Sequence, residues 1–403
     1  MHGVKNSYDV IVVGGGPAGL ATAAKCAELG LSTILFEKDQ EIGEPVRCGE
    51  GLGAGWFQRL ELKPDPAWAV QAITGAALYS PSGKKLVLDF KKTSGYILER
   101  KIFEKFLARD AARKGAKIYC KSTVTELIKE ENFIKGVKVQ HFEEELEIKS
   151  NIVVAADGFE SKIARMAGMH TTQTLYHVDS GFEYEMAGID FGEENLIHLF
   201  FGTKSFPRGY GWVFPKGKDY ANVGIGIGGT DTQTAKYYLD KWIDSMPGLK
   251  KGSIVQVMAG GIPVGGFLEH HAVNGLIVVG DAAHQVNPIH GGGMGLAIEA
   301  GRLAAEVIKK AHEAKDFSQN FLFQFDPLWY EKRGNQLKSI LKRRKMFEAL
   351  NDNDFETLAS SMSGEDVLKL AEGDLMQSIA IATKKLIMHP GLLKIILKYL
   401  REK

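Results

Sequence analysis

The chain has 403 residues, 44% of them apolar and 25% charged, with a formal net charge of +1 and three cysteines. That length allows a large core and more than one domain, while the near-neutral charge predicts no bulk attraction to nucleic acid. The cysteines are too few for a disulfide framework or a cluster held by four thiolates. Met1 to Asn6 lacks the apolar core of a signal peptide, and no run of about 18 apolar residues marks a spanning helix, so a cytoplasmic setting is expected.

Tyr8 to Val13 reads as a buried parallel strand, Pro17 to Leu29 as a helix closed by Gly30, and Ser32 to Glu37 as the next strand. The turn between the first two carries Gly14-x-Gly16-x-x-Gly19. In such a turn the first glycine permits the bend, the second admits a pyrophosphate and the third lets helix and strand pack closely. The helix N-terminus then holds the phosphate charge. Glu37 closes the second strand, where a carboxylate accepts ribose hydroxyls. With Lys38 beside it, an unphosphorylated ribose is expected, as in FAD or NAD. One loop further on, "PVRCGEGLGAG" places Cys48 beside Arg47 in a glycine-rich turn.

Tyr96 to Arg100 reads as a short strand feeding a helix from Lys101 to Lys114. Ile118 to Leu127 and Gly136 to Ile148 read as a small antiparallel sheet, and Ile152 to Asp157 as a buried strand followed by Gly158 and a helix ended by Gly168. Asp157-Gly158 reads as a tight turn after that strand. From Leu175 to Gly228 strands dominate, Gln233 to Asp244 is helical, and Leu276 to Gly280 returns to the style of the first strands. Asp281 then precedes a glycine loop that opens a long small-residue helix. This is a second phosphate- or ribityl-facing helix start, far from the first, and it suits a long ligand such as FAD. Glycine runs at 224–229 and 291–293 imply close backbone approach.

The expected fold is α/β. A Rossmann-like FAD-binding domain (1–70, 96–170 and 270–315) is interrupted by an antiparallel β-rich substrate domain (71–95 and 171–269) and followed by a helical region (316–403). His270, His271, His284 and His290 lack ligand spacing, so no metal site is expected. Cys26, mid-helix among alanines, and Cys120, at a strand end, read as buried packing residues.

Gly14-x-Gly16-x-x-Gly19, Glu37, Arg100, Ala156-Asp157-Gly158 and "GDAAHQVNPIHGGGMG" together resemble the p-hydroxybenzoate-hydroxylase-like flavoproteins. The resemblance implies FAD, with Arg100 near the flavin phosphates and with Ala18, Val124, Asp281, Gly293 and Met294 among the cofactor contacts. For Asp157-Gly158 it implies a place near the flavin and nicotinamide routes, as the alternative to a plain turn. Within that class, "PVRCGEGL" and "PRGYGWVFPKG" resemble the geranylgeranyl reductase family, the second through its P-x-x-Y-x-W-x-F-P pattern at Pro207, Tyr210, Trp212, Phe214 and Pro215. On a strand these three aromatics share one face. Alone they would read as sheet core; the resemblance makes them the wall of a substrate pocket.

The resemblance also places Cys48 in a loop over the flavin ring, with the backbones of Gly49 and Gly51 against the cofactor. Cys48 would then tune the flavin or relay a proton, with Arg47 favouring its thiolate; a structural thiol is the alternative. The implied activity is FAD-dependent saturation of geranylgeranyl C=C bonds in archaeal-type ether lipids, with Cys48, Tyr210 and Trp212 as catalytic residues. The implied partners are a prenylated lipid and an electron donor, either NAD(P)H or a ferredoxin-like carrier. A flavin monooxygenase or halogenase, and a prenyl-binding chaperone, share the fold and are the alternatives. The basic segments "KRGNQLKSILKRRK" and "KKLIMHPGLLKIILKYLREK" suit either peripheral contact with an anionic membrane or helices with a solvated basic face.

Overall fold

A computed structural model describes residues 4–229 and 233–366. The chain forms two compact units. The first takes the described residues of 1–46, 100–177 and 262–340, and the second those of 47–99, 178–261 and 341–366.

The first unit is built on the strand Ser7–Val13, which pairs in parallel with Thr33–Phe36 on one side and Glu144–Ala155 on the other. Lys117–Tyr119 and Leu276–Val278 extend the parallel sheet outward. Val10, Ile11 and Val12 are wholly buried because both faces of a parallel sheet are covered. The helices Pro17–Glu28 and Met294–Ala314 pack on each other through small residues: a side chain on Gly301 would begin 2.5 Å from the Ala18 carbonyl oxygen.

The antiparallel part differs from expectation. Ile118 to Leu127 is two strands, Lys117–Tyr119 in the parallel sheet and Ser122–Glu130 in a meander. Gly136 to Ile148 is broken by a turn at Phe142, whose φ of 51° lies in the left-handed region, into Phe133–His141 and the start of Glu144–Ala155. That last strand runs unbroken from the meander into the parallel sheet and takes in residues 152–155 of the segment expected at 152–157, with Ala156 and Asp157 beyond its end. Its first half alternates because one face is wet; its second half is continuously apolar because neither face is.

The second unit holds a seven-stranded mixed sheet in the order Ser253–Pro263, Val178–Ala187, Tyr220–Gly228, Tyr210–Pro215, Leu196–Phe200, Gly75–Tyr79, Lys85–Asp89. It is not purely antiparallel, since Leu196–Phe200 pairs in parallel with Gly75–Tyr79. Residues 47–70, expected with the nucleotide domain, lie here instead. Gly51–Gly53 and Ala69–Ile73 both pair with Gly95–Leu98, and pairing over such sequence separation leaves no local signal. The described part of 316–403 is helical but divides at 340/341 between the units. Residues 384–403, the second basic segment, lie outside the described residues. No helix among the described residues is long and apolar enough to cross a membrane.

The first basic segment is only partly a solvated face. Arg333 pairs with Glu299. Arg344, its side chain 5% exposed, donates to both Asp179 carboxylate oxygens at 2.7 and 3.0 Å and to Glu348 at 2.7 Å. Removing one partner of a buried pair strands the other. Arg344→Leu is therefore expected to cost about 3–5 kcal/mol in urea unfolding, and the double variant Asp179→Leu/Arg344→Leu distinctly less. Equal losses would show that the pair contributes only packing.

Candidate active site

In the first unit the nucleotide turn has the form that an anion requires. Gly14 has a φ of 107°, and a side chain there would begin 2.3 Å from the Ala156 carbonyl oxygen. A side chain on Gly16 would meet open space. Gly16 is also the N-cap of Pro17–Glu28, with no side-chain cap and no acid in the first turn, so the first-turn N–H groups are left for a ligand. The start of Met294–Ala314 repeats the arrangement: Gly293 is its N-cap, again without a side-chain cap or a first-turn acid. Two uncapped helix starts in one unit fit a dinucleotide.

Glu37 does more than expected from the sequence. Its Oε2 accepts the Gly15 N–H at 2.5 Å and its Oε1 the Asp39 N–H at 2.9 Å, so it braces the glycine turn besides offering lone pairs to a ribose. Asp281 sits in the single turn Gly280–Ala283, and its Oδ1 lies 3.1 Å from where a Gly293 side chain would begin. Burial pushes its carboxyl up, against the opposing pull of Arg100 and His284. Arg100 starts the helix Arg100–Arg113 and pairs with the buried Glu104 one turn on.

Ala18 and Met294 are buried in the first turns of their helices. Val124 is 7% exposed and its side chain belongs to the hydrophobic core, so only its backbone is left to meet a ligand. Asp157 caps a turn, its Oδ2 accepting the Ile163 N–H at 2.9 Å. The ring nitrogens of His284 face the carbonyls of Gly266 and Thr171 at 2.6 and 2.9 Å, while His270 and His271 both face Asp326. Cys26 is fully buried, as expected. Cys120 is not: it is half-buried and lines a cavity of about 500 Å³ with Glu41, Ile42 and Lys105.

The second unit gathers the other predicted residues. Cys48 Sγ accepts the Glu50 N–H at 3.2 Å. Glu50 takes a φ of 67°, and its carbonyl accepts the Leu98 N–H at 2.9 Å. The Arg47 side chain runs past Gly260, 3.5 Å from where a side chain there would begin. Tyr210, Trp212 and Phe214 form the expected row on one face, with centroids 5.7 and 6.0 Å apart. Across the sheet Trp212 pairs with Gly224 and Tyr210 with Gly226. A side chain on Gly224 would begin 2.5 Å from the Trp212 ring, so the glycine run of that strand makes room for the indole. Phe214 reaches the cysteine loop: a side chain on Gly49 would begin 3.0 Å from its ring and one on Gly51 3.5 Å away. Gly49 and Gly51, assigned from the sequence to the cofactor, are thus also the bed of Phe214.

At the Phe214 end of the row, on the same face of the sheet, lies a charge cluster that sequence reasoning missed. Lys216, its side chain 2% exposed, pairs with Glu50 at 2.8 Å, Glu99 at 2.6 Å and Glu185 at 2.6 Å. Asn222 donates to Glu50 at 2.7 Å. Burial opposes the ammonium, but the surrounding carboxylates outweigh it and hold it charged. Trp212 Nε1 donates to Glu183, a buried acid whose carboxyl burial pushes well above the usual range. Burial likewise raises the Tyr210 hydroxyl, helped by Asp179. The available signal was Glu183 and Glu185 alternating in an apolar strand, but nothing local says that they point inward.

Glu37→Ala is expected to loosen the flavin, since a charge-assisted hydrogen bond is worth about 2 kcal/mol, roughly thirtyfold in affinity. Titration of apoprotein with FAD reads this directly. Unchanged affinity would confine Glu37 to bracing its own loop.

Residues 7–200 match the family model described as an FAD binding domain, and residues 177–262 that of a geranylgeranyl reductase catalytic domain. The chain is 39% identical over 401 residues to the digeranylgeranylglycerophospholipid reductase of Methanocaldococcus jannaschii, covering 98% of each chain. It is 38% identical over 392 residues to that of Methanosarcina acetivorans, covering 95% of each. A solved geranylgeranyl bacteriochlorophyll reductase-like protein from Thermoplasma acidophilum superposes with a TM-score of 0.87 at 34% identity, covering 98% of this chain and 99% of that one. A flavin-dependent brominase at 19% identity, with a TM-score of 0.73 and coverage of 92% and 97%, shares the fold. Full-length similarity at this level, over both the nucleotide-binding and the aromatic segments, makes the chain a member of the geranylgeranyl reductase family.

Proposed function

We propose that this chain saturates C=C bonds in the geranylgeranyl chains of an archaeal-type ether phospholipid, as the names of its full-length relatives indicate for them. The observation that carries the reading is the row Tyr210, Trp212 and Phe214, seated on Gly224 and pressed against Gly49 beside Cys48. The cofactor is FAD, which when bound and reduced supplies two electrons as hydride.

An isolated alkene accepts hydride poorly, so a proton must reach the other carbon as positive charge develops. The aromatic row supports this step in two ways. Its faces lie along an apolar chain, and their quadrupoles attract the developing charge. Cys48 supplies the proton from Sγ, and the Glu50 N–H steadies the sulfur as it gains negative charge. Of the residues proposed as catalytic, Cys48 moves the proton, while Tyr210 and Trp212 position and stabilise. Gly14, Gly16, Ala18, Gly19, Glu37, Arg100, Val124, Asp281, Gly293 and Met294 are proposed to hold FAD, with Gly49 and Gly51 contributing backbone.

NAD(P)H or a ferredoxin-like carrier re-reduces the flavin, and stopped-flow reduction with each donor distinguishes them. Contact with a lipid surface is proposed on the basic character of residues 384–403. A monooxygenase reading has only the shared fold of the brominase behind it, and the Cys48 loop supports the reductase.

Cys48→Ala is expected to retain FAD and to be reduced normally, yet to slow alkene saturation about a hundredfold, the usual worth of a positioned proton donor. Cys48→Ser should recover only part. Full rates in both would leave Cys48 a packing residue.

Phe214→Leu keeps most of the bulk and removes the aromatic face. It should depress alkene reduction while leaving flavin reduction unchanged. Affinity should also fall with each prenyl unit removed from the substrate, at about 0.8 kcal/mol per buried CH₂ as an upper guide. Indifference to chain length, or equal loss in both half-reactions, would make the row ordinary sheet core.

A further inference from the structure

We infer that Glu183 is the proton store of this site, a carboxylic acid held neutral between Trp212 and the Gly49 loop that returns to Cys48 the proton each saturation consumes. The inference rests on the reductase reading above.

Glu183 lies on Val178–Ala187 and is 3% exposed. One oxygen accepts the Trp212 N–H; the other has no partner. Its Cβ is 2.9 Å from where a Gly224 side chain would begin, and its Oε2 is 3.4 Å from the same point on Gly49. The acid therefore sits under the cysteine loop, walled by the aromatic row.

The charge around it explains its state. Glu185 acts on it from its own strand, Glu50 from the loop, and Lys216 from beyond Tyr210–Pro215. Lys216 is the cation of the set, and its three N–H donors already serve Glu50, Glu99 and Glu185. An ionised Glu183 would be a further carboxylate beside that cluster, buried with one neutral donor. Keeping the proton avoids both costs. Gly49 links acid and thiol: Glu183 Oε2 lies 3.4 Å from where its side chain would begin, and Cys48 is the residue before it.

The balance is simple. Each C=C bond takes one hydride, which carries both electrons, and one proton. The proton leaves Cys48 Sγ for carbon, and the thiolate left behind takes the proton of the Glu183 carboxyl. The Glu183 carboxylate is re-protonated from solvent. No further oxidant or reductant enters.

Glu183→Gln keeps an acceptor for Trp212 and nearly the same volume but has no acidic proton. Flavin content and flavin reduction by dithionite should match wild type, while oxidation by the prenyl substrate slows about a hundredfold. In wild type that rate should fall as pH rises through the raised pKa of Glu183, because the protonated form donates, and the variant should lack this limb. Trp212→Phe removes the N–H that favours the carboxylate, so its limb should move to higher pH; this arm serves if the glutamine variant fails to fold. Infrared difference spectra should show a protonated carboxyl band at neutral pH that Glu183→Gln abolishes. A wild-type rate and pH profile in the glutamine variant, or no such band, overturns the inference. Should wild type show the band yet reduce no prenyl chain, the reductase reading falls and the relay with it, while the neutral acid stands.

Discussion

One buried ammonium organises the chemistry of the second unit. Lys216 is shared by Glu50 from the cysteine loop, Glu99 from the end of Gly95–Leu98 and Glu185 from Val178–Ala187. Each of these acids would be costly to bury alone, and so would the lysine. Together they are tolerable because every charge has a partner at hydrogen-bond distance. The gain is placement. Glu50 is held at its left-handed φ, and with it the loop that carries Cys48.

Beside that cluster, on the same face of the sheet, the packing follows from the absence of side chains. Trp212 lies on Gly224, and Phe214 lies on Gly49. A methyl group at either place would lift the ring it supports, so the row keeps its plane because two glycines stand opposite it. This apolar surface and the ion cluster share Glu183, which touches the indole on one side and feels the carboxylates on the other. A neutral acid suits that border, because it meets an aromatic wall without carrying charge into it.

The first unit solves another problem with plainer means. Its helix starts at Gly16 and Gly293 lack side-chain caps and first-turn acids, so their free N–H groups are available to anionic groups of FAD. Glu37 ties the glycine turn to the next loop through Gly15 and Asp39, which presets the cradle before any ligand arrives. The four histidines that cluster in sequence serve other ends, three of them fixing carbonyls or Asp326.

Read by itself, the sequence determined the nucleotide-binding unit, its cofactor class and the aromatic row. These rest on local periodicity: a strand, a glycine turn and a helix in succession, then three aromatics at period two. It also marked Cys48, through an unusual local pattern. Tertiary structure alone decided that residues 47–70 join the second unit, because their strand pairs with Gly95–Leu98. It alone turned Arg344 from a basic surface residue into the partner of Asp179. It alone brought Glu50, Glu99, Glu183, Glu185 and Lys216 together from four stretches of chain. Local patterns report which face of a strand is apolar. They do not report which charged residue is turned inward, since that depends on whether a partner from a distant stretch arrives to meet it.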